Sequence, residues 1–463
     1  MDTLLADLEA LLGADHVLTG TAATAWAFSP WTRLGAPRAI LRPATTQQVS
    51  GILRLAHAAG AAVVAWGGRT GLVDGAFAEG ALSLSLDRMT AVEEIDPVGA
   101  TMTVQAGCVL ETACLAATAR DLFLPVDLGA RGSATIGGVI STNAGGNRVL
   151  RYGMTRESIL GLEAVLADGT VISSLNHLIK NNAGYDLKQL FIGSEGTLGI
   201  VTRAVFRLRP RPVSQQTAWL AVDRFESLSP LLRSLESSLA GSLSAFEVMW
   251  PAFYDLVTTP PAAGRPILPS GHAYYVLVEA LGPDLAHDAA RFEQVLSEAL
   301  ESGLVADAAV AKSQAERDRM WALRDDVAQT ARNGPIITFD ISLPIAAMEA
   351  YVAEVAAALA VRWPRSDMTV FGHLGDGNLH LIIGVSEADT RPEIEEVVYG
   401  PLRARSGSIS AEHGIGLQKR RYLAYCRNPE ELALMRTLKT ALDPRGVLNP
   451  GKVIALDDRQ SLA

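Results

Sequence analysis

The chain is 463 residues long, more than one ordinary hydrophobic core accommodates, so two or three domains are expected. Apolar residues make up 49% and charged residues 19%, which excludes a disordered chain. The 40 basic and 50 acidic residues give a net charge of −10, and no Lys/Arg run suggests a phosphate-tracking face, which argues against nucleic acid as a partner.

Residues 1–18 carry acids among leucines and lack a basic leader, so they read as an amphipathic helix and not a signal peptide. No apolar run is long enough to predict a transmembrane helix. Cys108, Cys114 and Cys426 form neither a CxxC nor an iron–sulfur spacing, so reduced thiols and a cytoplasmic location, peripheral to the inner membrane, are expected.

Thr45 and Thr46 precede a periodic run, 47–59, that stops at Gly60, a helix with a hydroxyl cap and a glycine end. A buried strand over 61–66 empties into Gly67-Gly68-Arg69-Thr70-Gly71-Leu72, and a second strand covers 81–86. A glycine-rich loop after a strand lets backbone N–H groups converge on an anion. A tight turn explains the same residues, and the loop fits neither GxGxxG nor GxxxxGK[ST].

Hairpins are expected over 92–106 and over 162–173 through Asp168-Gly169, with a helix over 109–120 between them. Between Gly132 and Gly153 six glycines alternate with hydroxyl and amide side chains, a backbone costly to order and usually kept to fit a ligand. The stretch 180–202 is a second polar, glycine-punctuated region that ends in a strand. Arg209-Pro210-Arg211-Pro212 marks a domain boundary.

From 217 to about 425, strands (219–222, 274–279, 336–342) mix with helices (228–239, 285–302, 316–332, 345–360), the pattern of an α+β domain with a mainly antiparallel sheet. A helix over 429–440 and a Gly/Pro-rich tail follow.

Residues 369–385, TVFGHLGDGNLHLIIGV, predict a hairpin through Gly375-Asp376-Gly377-Asn378. That register sets His373 opposite His380 on one face, close enough for two imidazoles to share a cation. Two His plus one carboxylate make an open catalytic metal site, and Glu412 in Ser410-Ala411-Glu412-His413-Gly414-Ile415-Gly416 is the best third ligand. Zn²⁺ fits the set best, with Fe²⁺ and Mn²⁺ as alternatives. His413, beside the ligands, suits a general base. A strand histidine pair also occurs as a hydrogen-bonded core pair, and the residues alone leave both readings open.

FGHLGDGNLH and SAEHGIG together resemble the FAD-dependent D-2-hydroxyacid dehydrogenases of the vanillyl-alcohol oxidase and p-cresol methylhydroxylase flavoprotein superfamily, and the likeness runs from about Pro43 to Lys452. The resemblance implies an FAD-binding domain over 1–211 in two α+β subdomains (roughly 1–100 and 101–211). It further implies a substrate cap over 212–425 and a helical segment, 426–463, that returns to the FAD domain.

By the same resemblance, Gly67, Gly68, Arg69, Thr70, Gly71 and Leu72 take the FAD pyrophosphate. Pro125, Asp127, Leu128, Gly129, Ser133, Ile136, Gly137, Gly138, Ser141, Thr142, Asn143, Gly145, Gly146, Tyr152 and Gly153 form the second wall of the flavin cleft. Glu195, Gly196, Gly199 and Ile200 lie near adenine and ribose, and Asn449 returns to the flavin. No His or Cys lies within 67–106, so non-covalent FAD is expected.

The resemblance makes Arg324 the grip on a substrate carboxylate and Asn378 a substrate-side donor, with His373, His380 and Glu412 on the metal and His413 as base. Thr338 and Ala328 stand where the D-2-hydroxyglutarate dehydrogenases carry a Lys and a Thr or Ser, so a monocarboxylic, D-lactate-like or bulkier D-2-hydroxyacid is the expected substrate. The expected partners are that substrate and a separate electron acceptor (a quinone, a cytochrome or an electron-transfer flavoprotein), with a homodimer as the assembly. Alternatives are D-2-hydroxyglutarate as substrate, an oxidase using O₂, and, from another class, a metal-dependent hydrolase.

Overall fold

The computed structural model describes residues 3–385 and 390–456. These pack as two units, the first drawn from 3–145, 153–211 and 412–456, the second from 146–152 and from 212 to 411. Residues 412–425, expected with the cap, therefore belong to the first unit, where the Glu195 carboxylate accepts the backbone N–H groups of Ile415 and Gly416. Residues 146–152 belong to the second, where Arg148 pairs with the buried Glu279.

In the first unit, β1 (Val17–Leu18), β2 (Ala39–Leu41), β3 (Val63–Trp66) and β4 (Leu82–Ser85) form a sheet of order β1-β2-β4-β3, parallel except at β1. Apolar residues fill both faces, as a covered parallel sheet requires. Leu41, Val63, Leu82 and Leu84 enter one core, while Ile40, Val64 and Trp66 enter another. The helix Thr46–Ala59 that links β2 to β3 is capped by Thr45, whose side chain accepts the Gln48 N–H, and ends on Gly60 at φ 65°.

The second sheet of this unit is antiparallel, with β5 (Val92–Asp96), β6 (Thr101–Gln105), β8 (Ile159–Val165), β9 (Val171–Ser174) and β10 (Ile200–Arg207) in the order β5-β6-β10-β8-β9. Its edge strands are the polar ones, VEEID and VISS, which discourages further pairing. A two-stranded ribbon joins β7 (Leu122–Phe123) to β11 (Arg209–Pro210).

The second unit is built on one seven-stranded antiparallel sheet, ordered β15-β12-β14-β13-β17-β18-β16. Its strands are β12 (Ser214–Val222), β13 (Leu243–Met249), β14 (Tyr274–Gly282), β15 (Asp307–Val310), β16 (Ile336–Ser342), β17 (Asp367–His373) and β18 (Asn378–Gly384). On one face Trp219, Met249, Tyr275 and Phe371 pack against helices Pro251–Thr258 and Gln314–Asp325. The two-residue period of strands carries that face on through Glu279, Glu247, His373, His380 and Asp340, so an apolar half gives way to a polar half.

The β17–β18 register differs from the expected one. Phe371, not His373, stands opposite His380, because Leu374–Asp376 forms a 3₁₀ turn and Gly377 closes it at φ 87°. The slip is two residues, which leaves every side chain on its face. His373 pairs instead with Glu247 of β13, a strand with no counterpart among the expected elements. The helix expected over 316–332 is capped by Ser313 and stops at Asp325, followed by a 3₁₀ stretch, Val327–Ala331. No helix among the described residues is long and apolar enough to cross a membrane.

The C-terminal segment docks on the first unit through two buried lysines. Lys439 Nζ donates to Asp443 and to the Thr197 and Leu448 carbonyls, and Lys452 Nζ donates to the Phe77 carbonyl at 2.8 Å. Burial pushes the Lys452 ammonium down to about 7, against a smaller opposing effect of Glu195. The unfolded chain holds its proton to about 10.4, so folding releases a proton between those values and stability gains as pH rises. K452M lacks that gain. In denaturant titrations its stability relative to the wild type should therefore be most favourable near pH 7 and fall steadily toward pH 10; a difference independent of pH would refute the assignment.

Candidate functional site

The polar half of the seven-stranded sheet is a row of groups that would not be buried singly. Glu247 is 1% exposed, Arg324 4%, His373 6% and Asp340 0%. Glu247 Oε1 accepts from His373 Nδ1 at 2.7 Å, and Oε2 takes Nε and Nη2 of Arg324, each at 2.9 Å. The Arg324 guanidinium also lies over the Phe371 ring, 4.9 Å from its centroid.

An exposed ion pair contributes about 0–1 kcal/mol, whereas removing one partner of a buried pair costs about 3–5 kcal/mol. Burial pushes the Glu247 carboxyl up, but His373 and Arg324 beside it outweigh burial and hold it below the ordinary carboxylate range. An ionised carboxylate only accepts, so in neutral His373 the Nδ1 carries the hydrogen and Nε2 the lone pair. That is the tautomer a metal-ligating imidazole needs. The His373 and His380 rings meet edge to face at 5.6 Å between centroids.

Asp340, opposite His380 in the sheet, has its Nδ1 4.0 Å away. It accepts Asn378 Nδ2 at 2.9 Å, Ser410 Oγ at 3.3 Å and the Ala411 N–H at 3.1 Å. The segment leading into Glu412 and His413 is thereby fixed to the strand beside His380. Glu412 and His413 themselves, both half-buried, open the last segment of the first unit.

Two expected substrate contacts are differently employed. Arg324 commits Nε and Nη2 to Glu247, and only its Nη1 end lies outside that pair. Asn378 donates Nδ2 to Asp340 and to the Ile341 carbonyl, while its buried Oδ1 has no partner among the described residues. A flipped amide would set two oxygens together at Asp340, so Asn378 offers an acceptor where a donor was expected. His272 takes no part: its ring is bonded to Asp223.

In the first unit, the 67–72 loop and the start of the 132–153 stretch converge. A Cβ on Gly68 would sit 2.0 Å from the Ser133 carbonyl, and one on Gly67 would sit 2.4 Å from Thr135 Oγ1. Thr135 Oγ1 is buried with no partner among the described residues, and Gly71 and Gly129 face open space. Closely approaching glycine backbones and an unsatisfied hydroxyl fit a cradle for the phosphates of a dinucleotide. Arg69, at φ 57°, stacks its guanidinium on Trp26 at 4.3 Å and donates to the Trp26 carbonyl.

The remaining expected cofactor residues divide. Gly137 and Gly138 lie in the short helix Ile136–Ser141, and Thr142 donates back to the Gly138 carbonyl. Asn143, at φ 48°, accepts the Arg156 N–H. Asp127 pairs at the surface with Arg131, and a Cβ on Gly199 would meet the Phe191 ring at 2.8 Å, a packing reason for that glycine. Gly146 and Tyr152 fall in the second unit, not the first. The Glu195 carboxylate clamps the loop after His413, and Asn449 Oδ1 accepts the Ala65 N–H while its Nδ2 donates to the Glu195 carbonyl. Burial pushes the Glu195 carboxyl up, against the two N–H donors.

Glu247 and Asp340 were not among the expected site residues. The available signal is a lone carboxylate inside an apolar strand, AFEVM and TFDIS, which costs several kcal/mol unless paired.

Comparison with known proteins finds two families matched in succession, the second running on through residues 412–453, which pack in the first unit. The "FAD binding domain" family matches residues 37–174, and the "FAD linked oxidases, C-terminal domain" family matches residues 211–453. Mitochondrial D-2-hydroxyglutarate dehydrogenase of Bos taurus is 42% identical over 434 residues, 92% of this chain and 78% of that protein. The D-2-hydroxyglutarate dehydrogenase of Xanthomonas citri pv. viticola is 40% identical, with 92% of both chains covered. A putative mitochondrial D-lactate dehydrogenase of Schizosaccharomyces pombe is 38% identical over 91% of this chain and 82% of its own. Among solved structures, p-cresol methylhydroxylase with substrate bound shares the fold at a TM-score of 0.76 and 16% identity, over 98% of this chain and 97% of its own. The 4-ethylphenol oxidase from Gulosibacter chungangensis does so at 0.75 and 18%, over 99% and 97%. The chain belongs to the FAD-linked dehydrogenases of the D-2-hydroxyglutarate and D-lactate type, and it has the fold of p-cresol methylhydroxylase.

Proposed function

We propose that this dehydrogenase oxidises a monocarboxylic D-2-hydroxyacid, D-lactate-like or bulkier, to the 2-oxoacid, using non-covalent FAD and a divalent cation held by His373, His380 and Glu412. The observation that carries the metal reading is the Glu247 bond to His373 Nδ1, which sets Nε2 as the lone-pair nitrogen beside a second imidazole. Two imidazoles and a carboxylate suit Zn²⁺, with Mn²⁺ or Fe²⁺ as alternatives. When bound, the flavin accepts the hydride from C2 and the cation polarises the C2 hydroxyl.

The protein's own groups do the rest. His413, directly after Glu412 on the segment tethered to Asp340, takes the hydroxyl proton. Arg324 supplies the positive charge that draws the substrate carboxylate, through the part of its guanidinium outside the Glu247 pair. Asn378 Oδ1, buried without a partner among the described residues, offers an acceptor on the substrate side. A separate acceptor, a quinone, a cytochrome or an electron-transfer flavoprotein, would take up the two electrons removed from the substrate.

Thr338 carries the substrate preference. It lies on the same face of β16 as Asp340, two residues along, and is exposed, so a second carboxylate reaching that point meets a hydroxyl and no cation. Ala328 is likewise exposed and uncharged. The names of several relatives favour the second reading, D-2-hydroxyglutarate.

Anaerobic bleaching of the flavin decides between them. The wild type should be reduced faster by D-lactate and larger monocarboxylic D-2-hydroxyacids than by D-2-hydroxyglutarate, and T338K should shift that ratio toward the dicarboxylate; wild-type preference for D-2-hydroxyglutarate would overturn the assignment. H413N should slow flavin reduction by about 10²–10⁴-fold while FAD and metal content stay at wild-type levels, and an unchanged rate would remove His413 from its role.

A further inference from the structure

We infer that Glu247 is a positioning residue that serves the metal ligand and the substrate arginine together: one buried carboxylate sets the tautomer of His373 with Oε1 and the orientation of Arg324 with Oε2. The inference rests on the metal reading above and extends it to the residue behind the ligand.

The contrast with Glu279, two strand positions away across β13 and β14, gives the reason. Both carboxylates are buried on one face of the same sheet. Glu279 is surrounded by groups of the framework: Gln215 Nε2 at 2.6 Å, Trp321 Nε1 at 2.8 Å, Thr217 Oγ1 at 3.3 Å and Arg148. It closes a structural network. Glu247 has no comparable set, and its oxygens go to His373 and Arg324, the two residues assigned to cation and substrate. The Glu247–His373 pairing also spans adjacent strands in register, so the imidazole is held by the sheet and not by a loop. The Phe371 ring beneath the guanidinium fixes Arg324 from the remaining side.

A shared carboxylate couples two properties that separate supports would leave independent. Loss of its charge should loosen cation binding and weaken substrate binding at once, whereas a change at Arg324 should touch the second alone.

The test uses full-length wild type, E247Q, E247D and R324K, each purified with its flavin, stripped of metal by a chelator and titrated with Zn²⁺ against a chromophoric competitor. E247Q should bind Zn²⁺ about 10–100-fold more weakly, with a raised KM. Its flavin content should match the wild type, while the melting temperature of its metal-free form should fall, because the buried Arg324 guanidinium loses the carboxylate that offsets its burial. E247D, which keeps the charge on a shorter arm, should fall between, and R324K should raise KM with Zn²⁺ affinity unchanged. If E247Q does not fold, E247D decides. Zn²⁺ affinity equal to wild type in every folded Glu247 variant overturns the inference, as does a fall in affinity matched by R324K. A wild type that takes up neither Zn²⁺ nor Mn²⁺ instead overturns the metal reading, and this inference with it.

Discussion

A single ionised carboxylate buried in a sheet is the constraint around which the second unit is arranged. Glu247 at 1% exposure is tolerable only because a guanidinium and an imidazole stand within hydrogen-bond distance of it. Those partners must arrive from two places, a neighbouring strand and a helix, so β17 and the helix Gln314–Asp325 are tied to one point of β13. The apolar half of the same face supplies the rigidity. Tyr254 and Tyr275 stack there at 3.7 Å between centroids, and Trp219 packs on Tyr254 at a tilt.

The same device recurs wherever irregular backbone meets regular structure. Glu279 anchors the short segment 146–152 through Arg148, and Asp340 anchors the approach to Ala411. Glu195 anchors the turn that follows His413. Functional groups sit on loops, and a loop has no ladder of hydrogen bonds to hold it. A buried carboxylate that accepts two N–H groups supplies the order that secondary structure does not.

Much of this was legible in the sequence, for reasons that can be named. The helix Thr46–Ala59 follows from its threonine cap and glycine stop, and the β8–β9 hairpin from Asp168-Gly169. The histidine pair on one face followed from alternation, and survived a wrong register because the slip was even. The slip itself was not legible, since a four-residue turn and a 3₁₀ turn share the composition LGDG. β13 escaped notice because Glu247 interrupts its apolar run, and a charge in mid-strand resembles a break until its partners, 77 and 126 residues away in the chain, are seen. For the same reason the sequence alone gives no sign that Arg324 is buried, while in the fold it is 4% exposed.

The Glu195 clamp has an asymmetric consequence for variation. Its acceptors belong to one side chain, whereas its donors are main-chain amides of Ile415 and Gly416, which every residue except proline possesses. The side chain at position 415 can therefore be exchanged without loosening the grip. Gly414 has no such latitude, because it stands at φ 83° and a Cβ there would lie 2.8 Å from Glu195 Oε1. Gly416 is closed in the same way, at φ 51° with a Cβ 2.1 Å from the Val73 carbonyl, so redesign of the turn behind His413 has one open position, two closed by contact and conformation, and a carboxylate that no neutral residue replaces.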